Sequence, residues 1–168
     1  MKKIKKLFTI GLSLLLMLCM SISLVGCKQI DHNATIITDG ITYQEKWLEE
    51  NQVYGAYAEN GEEKYDNNTP KSRTYIIKTQ TELDEVFSEF PEIDFENEML
   101  IVYCYRTIYI RKQVLEKVVL DGTVLNVEFN VVKGKIGHAD ASAPSRRMLV
   151  VKLDKLDITE VNVTYNGQ

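Results

Sequence analysis

Between Thr123 and Val132 apolar and polar residues alternate: Leu125, Val127, Phe129 and Val131 are separated by Asn126, Glu128 and Asn130. Successive side chains of an extended strand point to opposite faces, so a period of two predicts a strand with one face buried and one wet. The alternation returns over 148–152, with Leu149, Val151 and then Leu153, and over 158–165, with Val161, Val163 and Tyr165. Residues 114–120 form a further β-rich run, and Asp121-Gly122 between it and 123–132 is a strong hairpin signal. Met99 to Tyr105 reads MLIVYCY, almost without a polar position, and is expected as a central strand. Thr74 to Thr79 is short, β-branched and aromatic, and reads as another strand.

One stretch keeps a different period. Leu83, Val86, Phe87 and Phe90 recur at spacings of three and four, with Thr81 and Asp84 close to a capping box and Pro91 as a stop. That predicts an amphipathic helix near 81–90. Residues 41–58 are ambiguous, because Tyr43, Trp47 and Leu48 fit a helical face while Ile41, Tyr43 and Trp47 fit alternate positions, and QVYGAYA over 52–58 looks more like a strand. Residues 59–73 are charged and rich in turn formers, an expected loop. The expected fold is α+β: mainly antiparallel β-sheet, sandwich-like or half-barrel, with one packed helix, spanning 41–168.

The N-terminus is patterned otherwise. Lys2, Lys3, Lys5 and Lys6 precede an apolar run over 7–25, the two physical parts of a secretory signal. The run is also long enough to span a bilayer, and either reading places the rest of the chain outside the cytoplasm. Its end, Leu24-Val25-Gly26-Cys27, resembles the lipobox of bacterial lipoproteins. The resemblance implies cleavage before Cys27, a diacylglyceryl thioether on its sulfur and often an acyl group such as palmitate on its new amino group. Two or more chains anchor stably where one binds marginally. Residues 1–26 are therefore expected as a cleaved signal peptide and 27–40 as a lipid-attached tether. The protein is expected at the cell membrane, facing outside the cytoplasm.

Loss of residues 1–26 removes four lysines and no acid, leaving 16 basic against 24 acidic residues and moving the net charge from −4 to −8. An acidic body argues against a nucleic-acid partner. Of the three cysteines, Cys19 lies in the apolar run and Cys27 at the lipobox, so the body keeps only Cys104. Neither an internal disulfide nor a multi-cysteine zinc site is then available, and no cofactor is expected.

The order YIIKTQTELDEVF, IDFENEMLIVYC, hairpin, SAPSRRMLVVKL is similar to the C-terminal domain of bacterial protease-complex regulatory lipoproteins, over roughly Val53 to Lys155. Its most specific element is Asp94-Phe95-Glu96-Asn97-Glu98-Met99 leading into the hydrophobic strand. The chain departs from the family at Arg106-Thr107-Ile108-Tyr109, where a Gly-rich turn is usual, and matches Ser142-Ala143-Pro144 loosely. The resemblance implies a β-rich fold and a protein-binding, regulatory role toward an envelope protein, a protease complex in particular.

Residues 133–147, KGKIGHADASAPSRR, form the candidate binding loop. Lys133, Lys135, Arg146 and Arg147 stand there against the single acid Asp140, a concentration of positive charge suited to an anionic protein surface or polymer. His138 and Asp140 with Cys104 would supply a nucleophile, base and orienter, but Cys104 falls in an apolar run where a small packing residue is expected. His138 and Asp140 alone make at most half a metal site, and His32 falls in the tether. Trp47, Tyr54 and Tyr57 are read as core cover rather than as an aromatic platform for a sugar or peptide, and the Glu-rich runs at 59–63 and 92–98 as solvated surface. The sequence thus favours a membrane-anchored binding or regulatory module. A ligand- or anionic-polymer-binding lipoprotein is the alternative, and a hydrolase ranks below both.

Overall fold

Two four-stranded sheets packed face to face carry the alternation read in the sequence. The computed structural model describes residues 29–54, 68–109, 111–132 and 144–166, so the apolar N-terminal run and Cys27 lie outside the described residues. In chain order the elements are β1 (Gln29–Ile30), β2 (Thr35–Ile36), β3 (Thr42–Tyr43), α1 (Glu45–Glu50), β4 (Ser72–Ile77) and α2 (Gln80–Val86). Next come β5 (Phe87–Glu89), β6 (Glu98–Thr107), β7 (Gln113–Asp121), β8 (Val124–Val131), β9 (Ser145–Asp154) and β10 (Glu160–Tyr165). One sheet has the order β1-β7-β8-β10 and the other β2-β9-β6-β4, while β3 and β5 pair apart. Neither large sheet closes, and the expected open, mainly antiparallel β architecture with a packed helix is what the chain forms. Among the described residues no helix is long and apolar enough to cross a membrane.

Strand β6 serves two cores. Met99, Ile101, Tyr103 and Tyr105 face the other sheet, where they meet Leu115, Val118, Leu125, Val127 and Phe129. Leu100, Val102 and Cys104 face the opposite way, against Trp47, Val53, Ile77, Leu83, Val86 and Phe87. A strand covered on both faces needs apolar residues at every position, which is why MLIVYCY lacks alternation. In β8, covered on one face only, Leu125, Val127, Phe129 and Val131 are all buried as the period of two requires.

In β7 the buried residues Leu115 and Val118 are three apart. The register jumps from Leu115↔Phe129 to Lys117↔Glu128, a bulge at Glu116. The extra residue turns Val118 back to the inner face, which a regular strand would not do. The hairpin closes one position later than expected, at Gly122-Thr123, because Asp121 pairs with Val124. Gly122 has φ +60°, the conformation required at the first central residue of a two-residue hairpin turn of this hand.

Pairing is mainly antiparallel, as expected, with two parallel exceptions, β1 with β7 and β10 with β8. The chain visits β9 in the other sheet between β8 and β10, and so returns running the same way.

The structure corrects three local expectations. The helix over 81–90 is shorter: it starts behind an N-cap at Thr79, not Thr81, whose Oγ1 accepts from Glu82 N at 3.3 Å, and it ends at Val86. Phe87 is extended and pairs with Tyr43, and Gln44 donates to the carbonyls of Val86 (3.0 Å), Asp84 (3.0 Å) and Phe87 (3.3 Å). Those donors satisfy helix-end carbonyls that would otherwise be orphaned, so another turn gains little. Phe87 and Phe90 still pack, ring to ring at 4.6 Å, but from an extended segment. A second helix, α1, settles the ambiguity over Glu45–Glu50, burying Trp47. The strand expected from residue 52 is absent over its described part, 52–54, where the backbone is held by Arg73 and Pro70 instead of by a neighbouring strand. Finally, the segment expected as a tether over 27–40 is paired into both sheets at β1 and β2, and Ala34 is buried in the inter-sheet core. Its polar composition hid this, because two-residue strands need few apolar side chains.

Candidate functional site

The register brings several chain segments to one end of the sandwich. Ser72 lies opposite Tyr105, Thr107 opposite Ser145, and Gln113 opposite Val131. The start of β4, the end of β6, the start of β7, the end of β8 and the start of β9 therefore meet there. These positions carry Lys71 and Arg73, Arg106, Arg111 and Lys112, and Arg146 and Arg147. The strand ends themselves (68–73, 104–113, 129–132, 144–148 and 165–166) carry no described aspartate or glutamate. The nearest acids are Glu49 and Glu50, beside the carbonyls that Arg146 holds, and Glu116, which accepts from Asn130 and Asn166. Lys71, Arg106 and Lys112 are exposed, while Arg73, Arg111, Arg146 and Arg147 are half-buried. The exposed large hydrophobic residues among those described, Tyr54, Ile108 and Val132, belong to the same end.

Of the residues expected in the binding loop, Lys133, Lys135, His138 and Asp140 lie outside the described residues. Arg146 and Arg147 are strand residues, because β9 begins at Ser145, ahead of the expected start at Met148. Arg146 is not a free cation. Its Nη1 donates to the carbonyls of Leu48 and, at 2.9 Å, Asn51, at the C-terminal end of α1. Arg73 Nε donates to the next carbonyl, Gln52 O, at 2.9 Å. These two side chains clamp the backbone after α1 onto the sheet, and burial lowers the Arg146 guanidinium from its ordinary value. The cations left to solvent come from Lys71, Arg106 and Lys112. Sequence reasoning missed them because they are far apart in the chain and become neighbours only through strand register.

Trp47 lies under this end, stacked on Tyr43 at 5.8 Å and edge-on to Tyr75 at 5.2 Å, with only 8% of its surface exposed. It covers the core, as read from the sequence; Tyr54 is 40% exposed, and Tyr57 lies outside the described residues. Cys104 is fully buried in the same cluster, and burial pushes its thiol up to about 12 against the opposing charges of Arg146 and Arg73. At neutral pH it is a protonated packing residue with no access for a substrate.

The opposite end has the reverse charge. Asp31, Glu96, Asp121, Asp154, Asp157 and Glu160 project there from the loops and strand ends. A broad open cleft between the start of α2 and residues 92–98 is lined by Lys78, Thr79, Glu92, Asp94, Glu96 and Lys155. Asp94 is held by the Asn97 amide at 2.7 Å and the Glu96 N–H at 3.0 Å, which keep its carboxyl below its ordinary value. These bonds lie within the turn and shape it. Among the described residues no group of three or more His, Cys, Asp or Glu side chains is arranged to hold a metal ion.

The molecule is thus polarised along its strands, cationic with apolar tips at one end and acidic at the other. No family model, curated protein or solved structure matches the chain.

Proposed function

We propose that the protein is a membrane-anchored, extracytoplasmic lipoprotein whose body works by binding, with the cationic end as its recognition surface for an anionic partner. The observation that carries this reading is the segregation of charge. An overall acidic chain gathers seven lysines and arginines from separate segments at one end, where the described strand ends carry no acid and only Glu49, Glu50 and Glu116 lie near. Such a field attracts anions over roughly a Debye length, about 10 Å, and weakens with salt. The lipobox resemblance at Cys27 supports the anchor. Burial of Cys104, the one cysteine of the body besides the lipid-bearing Cys27, favours binding over thiol catalysis.

The test is a triple substitution, Lys71→Glu, Arg106→Glu and Lys112→Glu, at exposed side chains. Cross-linking in intact cells followed by pull-down should recover an anionic partner with the native chain and lose it with the variant, the melting temperature staying within a few degrees. Unchanged recovery would remove the cationic end from the reading. For the anchor, Cys27→Ser should abolish the lipidated mature form.

A second reading is favoured by the sheet edges. Strand β10 ends its sheet, contains no proline and shows regular alternation of half-buried and exposed residues. An edge of this kind suits strand addition by a protein partner, the mode a protease-complex regulator would use. Val163→Pro would block it while leaving the cationic end intact.

A further inference from the structure

The direction of β1 says where the anchor enters. β1 runs parallel to β7, with Gln29 level with Lys117 and Ile30 with Val118. Moving back along the chain from Gln29 therefore leads toward Gln113, the cationic end, and away from the Gly122 hairpin. Only Lys28 separates Cys27 from Gln29. Two residues reach at most about 7 Å, whereas β7 from Lys117 back to Gln113 spans about 13 Å. A lipid on Cys27 thus attaches the domain on its cationic half, with too little slack for the body to stand clear of the headgroups.

What that half presents suits a headgroup layer. Lys71, Arg106 and Lys112 are exposed, and Tyr54, Ile108 and Val132 are 40%, 41% and 47% exposed beside them. Tyrosine and aliphatic tips seat at the boundary between headgroup and acyl chain, and cations are drawn to anionic lipid. Each cation near such a surface raises affinity roughly fivefold. The acidic residues at the far end are repelled by the same surface.

We propose that the cationic end lies directly on the anionic phospholipid headgroups of the membrane that holds the lipid on Cys27, with the acidic end directed outward. This rests on the lipoprotein reading and names the anionic partner as the anchoring membrane itself. It makes the acidic end, with its open cleft, the surface offered to the surroundings.

The test uses the mature lipidated protein reconstituted into vesicles of phosphatidylcholine, with or without phosphatidylglycerol. A fluorophore is placed on Ile108→Cys or Val132→Cys at the cationic end, or on Thr123→Cys at the hairpin. Cys104 is buried and does not compete for label. Headgroup spin-labels should quench positions 108 and 132 several-fold more than position 123 in the anionic vesicles. The difference should collapse in high salt and in the Lys71→Glu, Arg106→Glu, Lys112→Glu variant. Equal quenching at both ends, or stronger quenching at 123, overturns the proposal. So does a cationic end that stays unquenched on vesicles while binding an acidic protein in solution. Mass spectrometry of the mature chain reports the anchor separately: absence of the diacylglyceryl mass would sink the lipoprotein reading, and this orientation with it.

Discussion

Replacing Arg146 tests whether it is a structural clamp or a free recognition cation. In Arg146→Met the apolar stem remains but the donors to Leu48 O and Asn51 O are lost. Those carbonyls lie in the last turn of α1 and at the residue just after it, where helix carbonyls lack intrahelical partners. A hydrogen bond from a charged donor contributes about 1.5–3 kcal/mol, so two would give about 3–6 kcal/mol gross. Burial of the guanidinium offsets part of this, as its lowered pKa indicates, and water can reach a half-buried segment. The expected loss is about 2–3 kcal/mol, or roughly 5–10 °C in melting temperature for a domain of this size. Arg146→Lys keeps the charge but not the fork and should recover about half. The assay is urea unfolding followed by fluorescence, because Trp47 is the only tryptophan and its carbonyl accepts from Asn51 N at 3.0 Å and Asn51 Nδ2 at 2.8 Å. Loosening of that turn should shift its emission to the red before global unfolding. A loss under about 0.5 kcal/mol with unshifted emission would refute the clamp.

The same geometry makes three further outcomes testable. Phe129 is fully buried, with rings of Tyr105 and Tyr165 at 5.1 and 5.0 Å, so Phe129→Ala should cost about 3–5 kcal/mol in urea titrations; a loss near 1 kcal/mol would mean the inter-sheet core is not packed as described. Gly122→Ala should cost about 1–2 kcal/mol through its φ of +60° alone, since nothing lies within 4 Å of an added Cβ. Gly122→Asn should then cost less, and an alanine variant as stable as the native chain would contradict the turn. Burial holds the Cys104 thiol and the Tyr43, Tyr75 and Tyr105 phenols above their ordinary values, so the folded chain keeps protons that the unfolded chain releases. Their contribution is complete below the unfolded values and falls as pH rises, for Cys104 from 9.0 to about 12. Urea midpoints should drop across that interval, less steeply in Cys104→Ala, and a flat profile would exclude burial of these groups.

Wherever one side chain period governed one element, that element was legible in the sequence. β8 is fixed by its alternation, and β6 by having no alternation at all. The bulge at Glu116 was hidden because Leu115 and Val118 look out of phase unless the register is known. α2 was half legible: Leu83 and Val86 keep the helical period, but Phe87 satisfies its burial as a strand paired with β3, a contact set more than 40 positions away at Gln44. The candidate site was legible only at Arg146 and Arg147, whose neighbours in sequence drew attention to them. Lys71, Arg106 and Lys112 were silent because no local pattern records which strand ends share one end of a sandwich. Arg146, the residue singled out most readily, is the one whose charge the fold uses internally.

The two shortest strands of the large sheets constrain how the molecule can be built. β1 pairs with β7 and β2 with β9, and the corner between them is tied by Asn33 to Asp154 across 121 positions. A chain delivered from its N-terminus presents residues 29–36 well before their partners, β7 for β1 and, later still, β9 for β2. Until β9 has emerged, β2 has no edge to join, and loop closure over such a separation is slow compared with local pairing. The hairpin of β7 and β8 can form early and offer β1 its edge, whereas the β2 half of the seam waits for β9. Truncation after β8 should therefore leave an N-terminus that never docks fully, even though every residue of β1 and β2 is present.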